Sequence, residues 1–224
     1  MSAALDTLFH NATIWRGSEQ SRADSPGIPS GFAAFDEKLG GWPLGALVEL
    51  IPQQEGIGEF SILLPALARL SKDERWVALI NPPYIPYAPA LAHAGIDLAK
   101  VVVVRAAGAT NILWSMEQTL RSGACSAVLG WPTSINERAI RRLQLATEAG
   151  HALGAYFTQP GVLARTSPVP YRLQINGTID DIRVEVLKRR GGGLTSPLHI
   201  QNAVAVPELP SITDRDIPSR RRIA

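Results

Sequence analysis

Phosphate chemistry at a protein loop needs three parts: a run of backbone N–H groups to cradle the anion, a lysine for the outer phosphates, and a Ser or Thr hydroxyl for magnesium. The stretch Pro52-Gln53-Gln54-Glu55-Gly56-Ile57-Gly58-Glu59-Phe60-Ser61 offers the glycines but not the rest. Glu59 stands where a lysine would follow Gly58, and Phe60 stands where the hydroxyl would come next. No Gly-Lys dipeptide occurs anywhere in the chain. A carboxylate about 4 Å from a phosphate charge costs roughly 4 kcal/mol at an effective dielectric near 20, where a lysine would give a similar gain. Glu55 adds to the repulsion, and at about 1.4 kcal/mol per factor of ten the difference amounts to several decades of affinity. Gly56, Gly58, Glu59 and Phe60 are therefore expected to form a degenerate nucleotide loop that holds no cofactor. Glu59 would instead favour the dipole of the helix it opens.

Other reactive side chains are scattered. His10, His93, His151 and His199 lie far apart, and no pair has metal-ligand spacing. Cys125 sits between a glycine turn and an apolar run, with no histidine near in sequence, and is expected to be a core thiol. No Gly-x-Ser-x-Gly elbow is present. The chain is expected to have no catalytic residue, no metal and no cofactor. Trp131 ends an apolar run at the kind of place where open α/β sheets keep their ligand crevice, so it either fills a vacant pocket or anchors a partner. Basic residues gather late in the chain. From Arg183 onward there are eight Lys or Arg against four Asp or Glu, while the preceding residues carry 14 against 16. Arg183, Lys188, Arg189 and Arg190, and beyond them Arg220, Arg221 and Arg222, are candidate contacts to DNA phosphates or to an acidic protein, or are simply solvated.

The elements that position these residues follow from apolar patterning. Continuous runs at 47–51, 76–81, 101–104, 126–131 and 152–157 are predicted as buried strands. Helices are predicted between them over about 60–70, 90–94, 112–122 and 136–149, the last capped by Asn136. Strands alternating with helices describe a mostly parallel sheet covered on both faces. Tyr171–Ile175 and Ile182–Lys188, separated by Asn176-Gly177, read as a closing antiparallel ribbon. A short helix is expected near Leu5–Trp15, no strong pattern follows Pro197, and 214–224 is expected to be disordered. Residues 1–27 are taken as a flexible N-terminal segment, 28–200 as the domain, and 201–224 as a basic-ended tail.

At 224 residues, 46% hydrophobic and 19% charged, the chain can bury the core of one domain. A single cysteine excludes an internal disulfide framework, and no apolar run reaches the roughly 18 residues that span a bilayer. A soluble cytoplasmic protein without a membrane partner is expected.

Two sets of residues carry a family resemblance. Ile28–Asp36, Leu39–Glu49, Ala92–Leu98 and Arg183–Lys188 resemble the core domain of RecA-type recombinases, over about 28–200. Position by position the catalytic parts of that family are replaced: its loop lysine falls on Glu59, its water-activating glutamate within Asn81-Pro82-Pro83, and its magnesium-side aspartate on Gly130-Trp131. Only Gln159 matches a sensor glutamine. Leu120-Arg121-Ser122-Gly123-Ala124-Cys125-Ser126-Ala127-Val128-Leu129-Gly130-Trp131 is similar to the ImuA/SulA group of SOS-response proteins, RecA-like folds without a working nucleotide site. The resemblance implies an α/β, RecA-like core with a C-terminal antiparallel extension. Because the chain runs on past 175, it favours the ImuA branch, whose implied role is error-prone translesion synthesis with an ImuB-like adaptor, a DnaE-type polymerase and RecA. The alternative is a SulA-type cell division inhibitor that binds the tubulin-like protein FtsZ and blocks its polymerisation.

Overall fold

A computed structural model describes residues 27–160, 167–178, 180–190 and 196–201. The sequence-based expectations for 1–26 and 202–224, including the Leu5–Trp15 helix and Arg220, Arg221 and Arg222, lie outside the described residues.

The apolar runs become strands. In chain order they are β1 (Ala46–Pro52), β2 (Trp76–Ile80), β3 (Val101–Val104), β4 (Cys125–Gly130), β5 (Leu153–Phe157), β6 (Tyr171–Gly177), β7 (Asp181–Lys188) and β8 (Leu198–Gln201). They form one sheet in the order β3-β2-β4-β5-β1-β6-β7-β8. Neighbours from β3 to β6 run parallel, and β7 is antiparallel to both β6 and β8. The architecture is thus mixed α/β with a mostly parallel sheet of eight strands, as the patterning predicts. Strand β8 is the exception, since no strand is predicted after Pro197. Only Leu198 and Ile200 of its four residues point into the core, too short an alternation to stand out, and pairing with β7 supplies the rest.

Helices α1 (Ala33–Leu39), α2 (Leu64–Leu70), α3 (Ala88–His93), α4 (Ala109–Arg121) and α5 (Glu137–Gly150) join the strands. Asn136 caps α5 by accepting the Ala139 N–H at 2.9 Å, as expected from its type and place. The helix foreseen from Phe60 opens instead as a 3-10 turn, Ser61–Leu63, which runs into α2. Period-two alternation along the strands feeds two cores. Val48, Leu50, Leu79, Leu129 and Phe157 pack under α1, α2 and α3, whereas Leu47, Ile80, Val128 and Tyr156 pack under α4 and α5. Two glycines set how closely this second layer lies. A Cβ on Gly130 would fall on the Met116 side chain, and one on Gly150 would fall on the Leu120 carbonyl, so α4 and α5 sit tight on the sheet and on each other. Among the described residues no helix is long and apolar enough to cross a membrane.

Candidate functional site

Glycine-rich turns after β1 bring Glu55, Glu59 and Ser61 to the C-terminal end of the sheet. There the chain satisfies its own groups. The Glu59 carboxylate accepts the Gly56 N–H at 3.5 Å, and the Ser61 hydroxyl donates to the Gly58 carbonyl at 2.6 Å. Tyr84, from the segment after β2, donates its hydroxyl to Glu55 at 2.9 Å. That bond, together with the negative charge of Glu55, raises the Tyr84 pKa above its ordinary value.

Aromatic side chains occupy the space beside this loop. Trp131, one residue past β4, stacks on Phe157 at the end of β5, with ring centroids 4.7 Å apart and planes 4° from parallel. Phe60 closes the third side at 6.1 Å from Trp131. Of the two roles open to Trp131 in the sequence, the geometry matches pocket filling: the indole is half-buried and packed into the first core. Gln159 donates to the Thr133 carbonyl at 3.4 Å.

A charged pair that the patterning does not foresee lies deeper. Glu49 on β1 and Arg172 on β6 are register partners, both buried, and the Arg172 guanidinium donates to the Glu49 carboxylate. Tyr156 is buried beside them, and burial first, then the Glu49 charge, holds its hydroxyl well above the ordinary tyrosine pKa. The signal available was one charge within each of two apolar strands, Leu47–Ile51 and Tyr171–Ile175. A buried charge demands an opposite one.

The basic residues scatter when placed. Lys188 donates to the Ser167 carbonyl at 2.9 Å, Arg189 to the Lys38 carbonyl, and Arg190 lies 3.8 Å from Glu148. Arg183 stands exposed on β7. These contacts do not merge into one basic face. Cys125 is buried, and burial raises its thiol pKa, in keeping with a core thiol.

The opposite end of the sheet order is an edge with no further strand among the described residues. Strand β3 pairs only with β2 among the described residues, and Val102 and Val103 are 37% and 42% exposed. Leu98 precedes them, and Tyr84, Ile85 and Tyr87 from the segment after β2 are also exposed. Arg105, just past β3, fastens that segment by donating to the Pro82 carbonyl and, at 3.0 Å, to the Tyr84 carbonyl. Lys100 is turned back onto the Glu74 carbonyl at 3.1 Å. Isolated exposed apolar residues are ordinary, but six that share an unpaired edge and its adjoining segment mark a contact surface.

Comparison with known proteins places the centre of the chain. Residues 45–154 match the family model described as cell division inhibitor SulA. The SulA of Edwardsiella piscicida is 37% identical over 110 residues, covering 48% of this chain and 66% of that protein. The SulA of Yersinia enterocolitica is 31% identical over 110 residues, covering 49% and 66%. That of Yersinia pestis is 36% identical over 93 residues, covering 42% and 55%. The chain thus spans somewhat less than two thirds of the length of these relatives. The crystal structure of SulA from Pseudomonas aeruginosa aligns over 51% of this chain and 98% of its own, at 24% identity and a TM-score of 0.43.

These findings overturn the expected ImuA branch, and with it translesion synthesis and the partners ImuB, DnaE-type polymerase and RecA. The extra length past 175 misled, because β6 to β8 complete the sheet and carry none of the matched residues. What the comparisons show is a likeness in the centre of the chain: residues 45–154 match the SulA family model, and SulA proteins align over a similar length.

Proposed function

We propose that this chain is a SulA-type inhibitor of cell division in the SOS response, a non-catalytic scaffold that binds FtsZ in the cytoplasm and blocks its polymerisation. The match of residues 45–154 to the SulA family carries this assignment. A RecA-like architecture is part of the same proposal, supported by the parallel sheet, the glycine loop after β1 and the antiparallel β6–β7–β8 extension.

The loss of catalysis has a physical basis. Glu59 and Glu55 repel a triphosphate, and Trp131, Phe60 and Phe157 fill the adjoining space. Function must then lie in a surface. The β3 margin is the surface best suited, because it combines unpaired backbone groups with the exposed Val102, Val103, Leu98, Tyr84, Ile85 and Tyr87. Burying that apolar area against FtsZ at roughly 25 cal/mol per Å² would supply the driving force, and the strand edge would fix the register. Binding there acts stoichiometrically, by occupying FtsZ and withholding it from the polymer.

Expression of the chain in a rod-shaped bacterium carrying a compatible FtsZ tests the assignment. Filamentous cells are expected, and normally dividing cells at the same protein level would refute it.

A further inference from the structure

On the face formed by α4 and α5 a second surface is built, independent of the assignment to FtsZ. Thr110, Leu113, Trp114 and Glu117 repeat at helical spacing along the first half of α4, and Ala139, Arg142 and Leu143 do so along α5. Between these stripes runs a groove of about 530 Å³, with Asn136 and Arg138 at its rim. From Thr110 to Glu117 the groove follows α4 for about 10 Å, the length of two helical turns. Leu113, Trp114, Ala139 and Leu143 supply its apolar lining, and Trp114 is 58% exposed, an aromatic surface left bare where a partner helix would pack.

The charge of the groove selects its occupant. Glu117 is buried, and Arg121, at 3.1 Å, and Arg142 both donate to its carboxylate. That triad carries a net +1, fixes Arg142 at the rim, and keeps the one carboxylate in the groove from repelling an acidic ligand. Arg138 adds a second positive charge. Glu137 faces outward toward Arg141, at 3.9 Å. The amino-terminal ends of both helices add their positive dipole ends to the same region.

We propose that the α4–α5 groove docks an acidic amphipathic helix of a partner protein, with an aliphatic side chain against Trp114 and carboxylates on Arg138 and Arg142. The apolar stripe of such a helix meets Leu113, Ala139 and Leu143, making a third helix in the valley between two.

The full chain is titrated calorimetrically with a capped 18-residue helical peptide that carries leucine at positions i, i+3, i+4 and i+7 of each stripe and glutamate elsewhere. A second peptide carries lysine in place of every glutamate. Saturable binding of the glutamate peptide, at least tenfold tighter than the lysine peptide and weakened at least tenfold in both Trp114→Ala and Arg138→Glu, is expected. Equal binding of the two peptides, unchanged binding in both variants, or no saturation by millimolar peptide would overturn the proposal. Trp114 is also expected to be open to acrylamide in the unliganded chain, measured as the difference from Trp114→Phe. A shielded Trp114 would mean that another part of this chain already covers the groove, and would equally overturn it. Both variants are expected to inhibit FtsZ as the parent does, so failure here and failure of the FtsZ assignment are read separately.

Discussion

Strands β1 and β3 are both apolar runs, yet the fold treats them oppositely. All seven residues of β1 are buried between β5 and β6, including the charged Glu49. Strand β3 is four valines at the margin of the sheet, two of them exposed. In the first region the molecule closes on itself: Glu49 is paired with Arg172, and Trp131 stacks on Phe157 beside the glycine loop. In the second, among the described residues, one edge of the strand has no partner strand and two valines are exposed. The contrast separates the part that holds the fold together from the part available to a partner.

The difference can be broken first at its buried end. Glu49→Ala removes the buried carboxylate to which the Arg172 guanidinium donates and is expected to cost about 3–5 kcal/mol, seen as a fall in Tm of roughly 10 °C in thermal unfolding. A change under about 1 kcal/mol would mean that water or another group reaches Arg172. Next comes the aromatic filling. Trp131→Ala removes a half-buried ring stacked on Phe157 and is expected to cost about 2 kcal/mol in denaturant titration, less than full burial would give. No ATP binding should appear in that variant, because the carboxylates Glu55 and Glu59 remain. Glu59→Lys sharpens the same point with less effect on stability, within about 1 kcal/mol for a half-buried loop position. Magnesium-dependent ATP turnover should stay at background in this variant, since Asn81-Pro82-Pro83 brings no general base and Gly130-Trp131 no metal ligand.

How much of this was legible beforehand depended on what each residue needed. The strands from β1 to β7 and the Asn136 cap rest on local pattern, and these were readable from apolar runs and one side-chain type. Which apolar run lies at the edge was not readable, since what separates β1 from β3 is the strands that flank them in the sheet. Nor was the Glu49–Arg172 pairing, which joins residues 123 apart in sequence through strand register. Strand β8 lacked enough residues to show its alternation. The ImuA branch fails for a related reason: it rests on length beyond the matched region, whereas the residues that match a family model, 45–154, match SulA.

The account turns on the β3 margin, and replacing its two exposed valines tests it most directly. Val102→Lys with Val103→Lys places charges on an edge already in contact with water, so the folded state should lose no more than about 1 kcal/mol. Light scattering of FtsZ polymerisation is then followed with increasing amounts of the parent chain and of the double variant. The parent is expected to suppress assembly near equimolar ratio, and the folded double variant to need at least tenfold more. A double variant that suppresses assembly as well as the parent would contradict the assignment of this edge as the surface through which the protein acts.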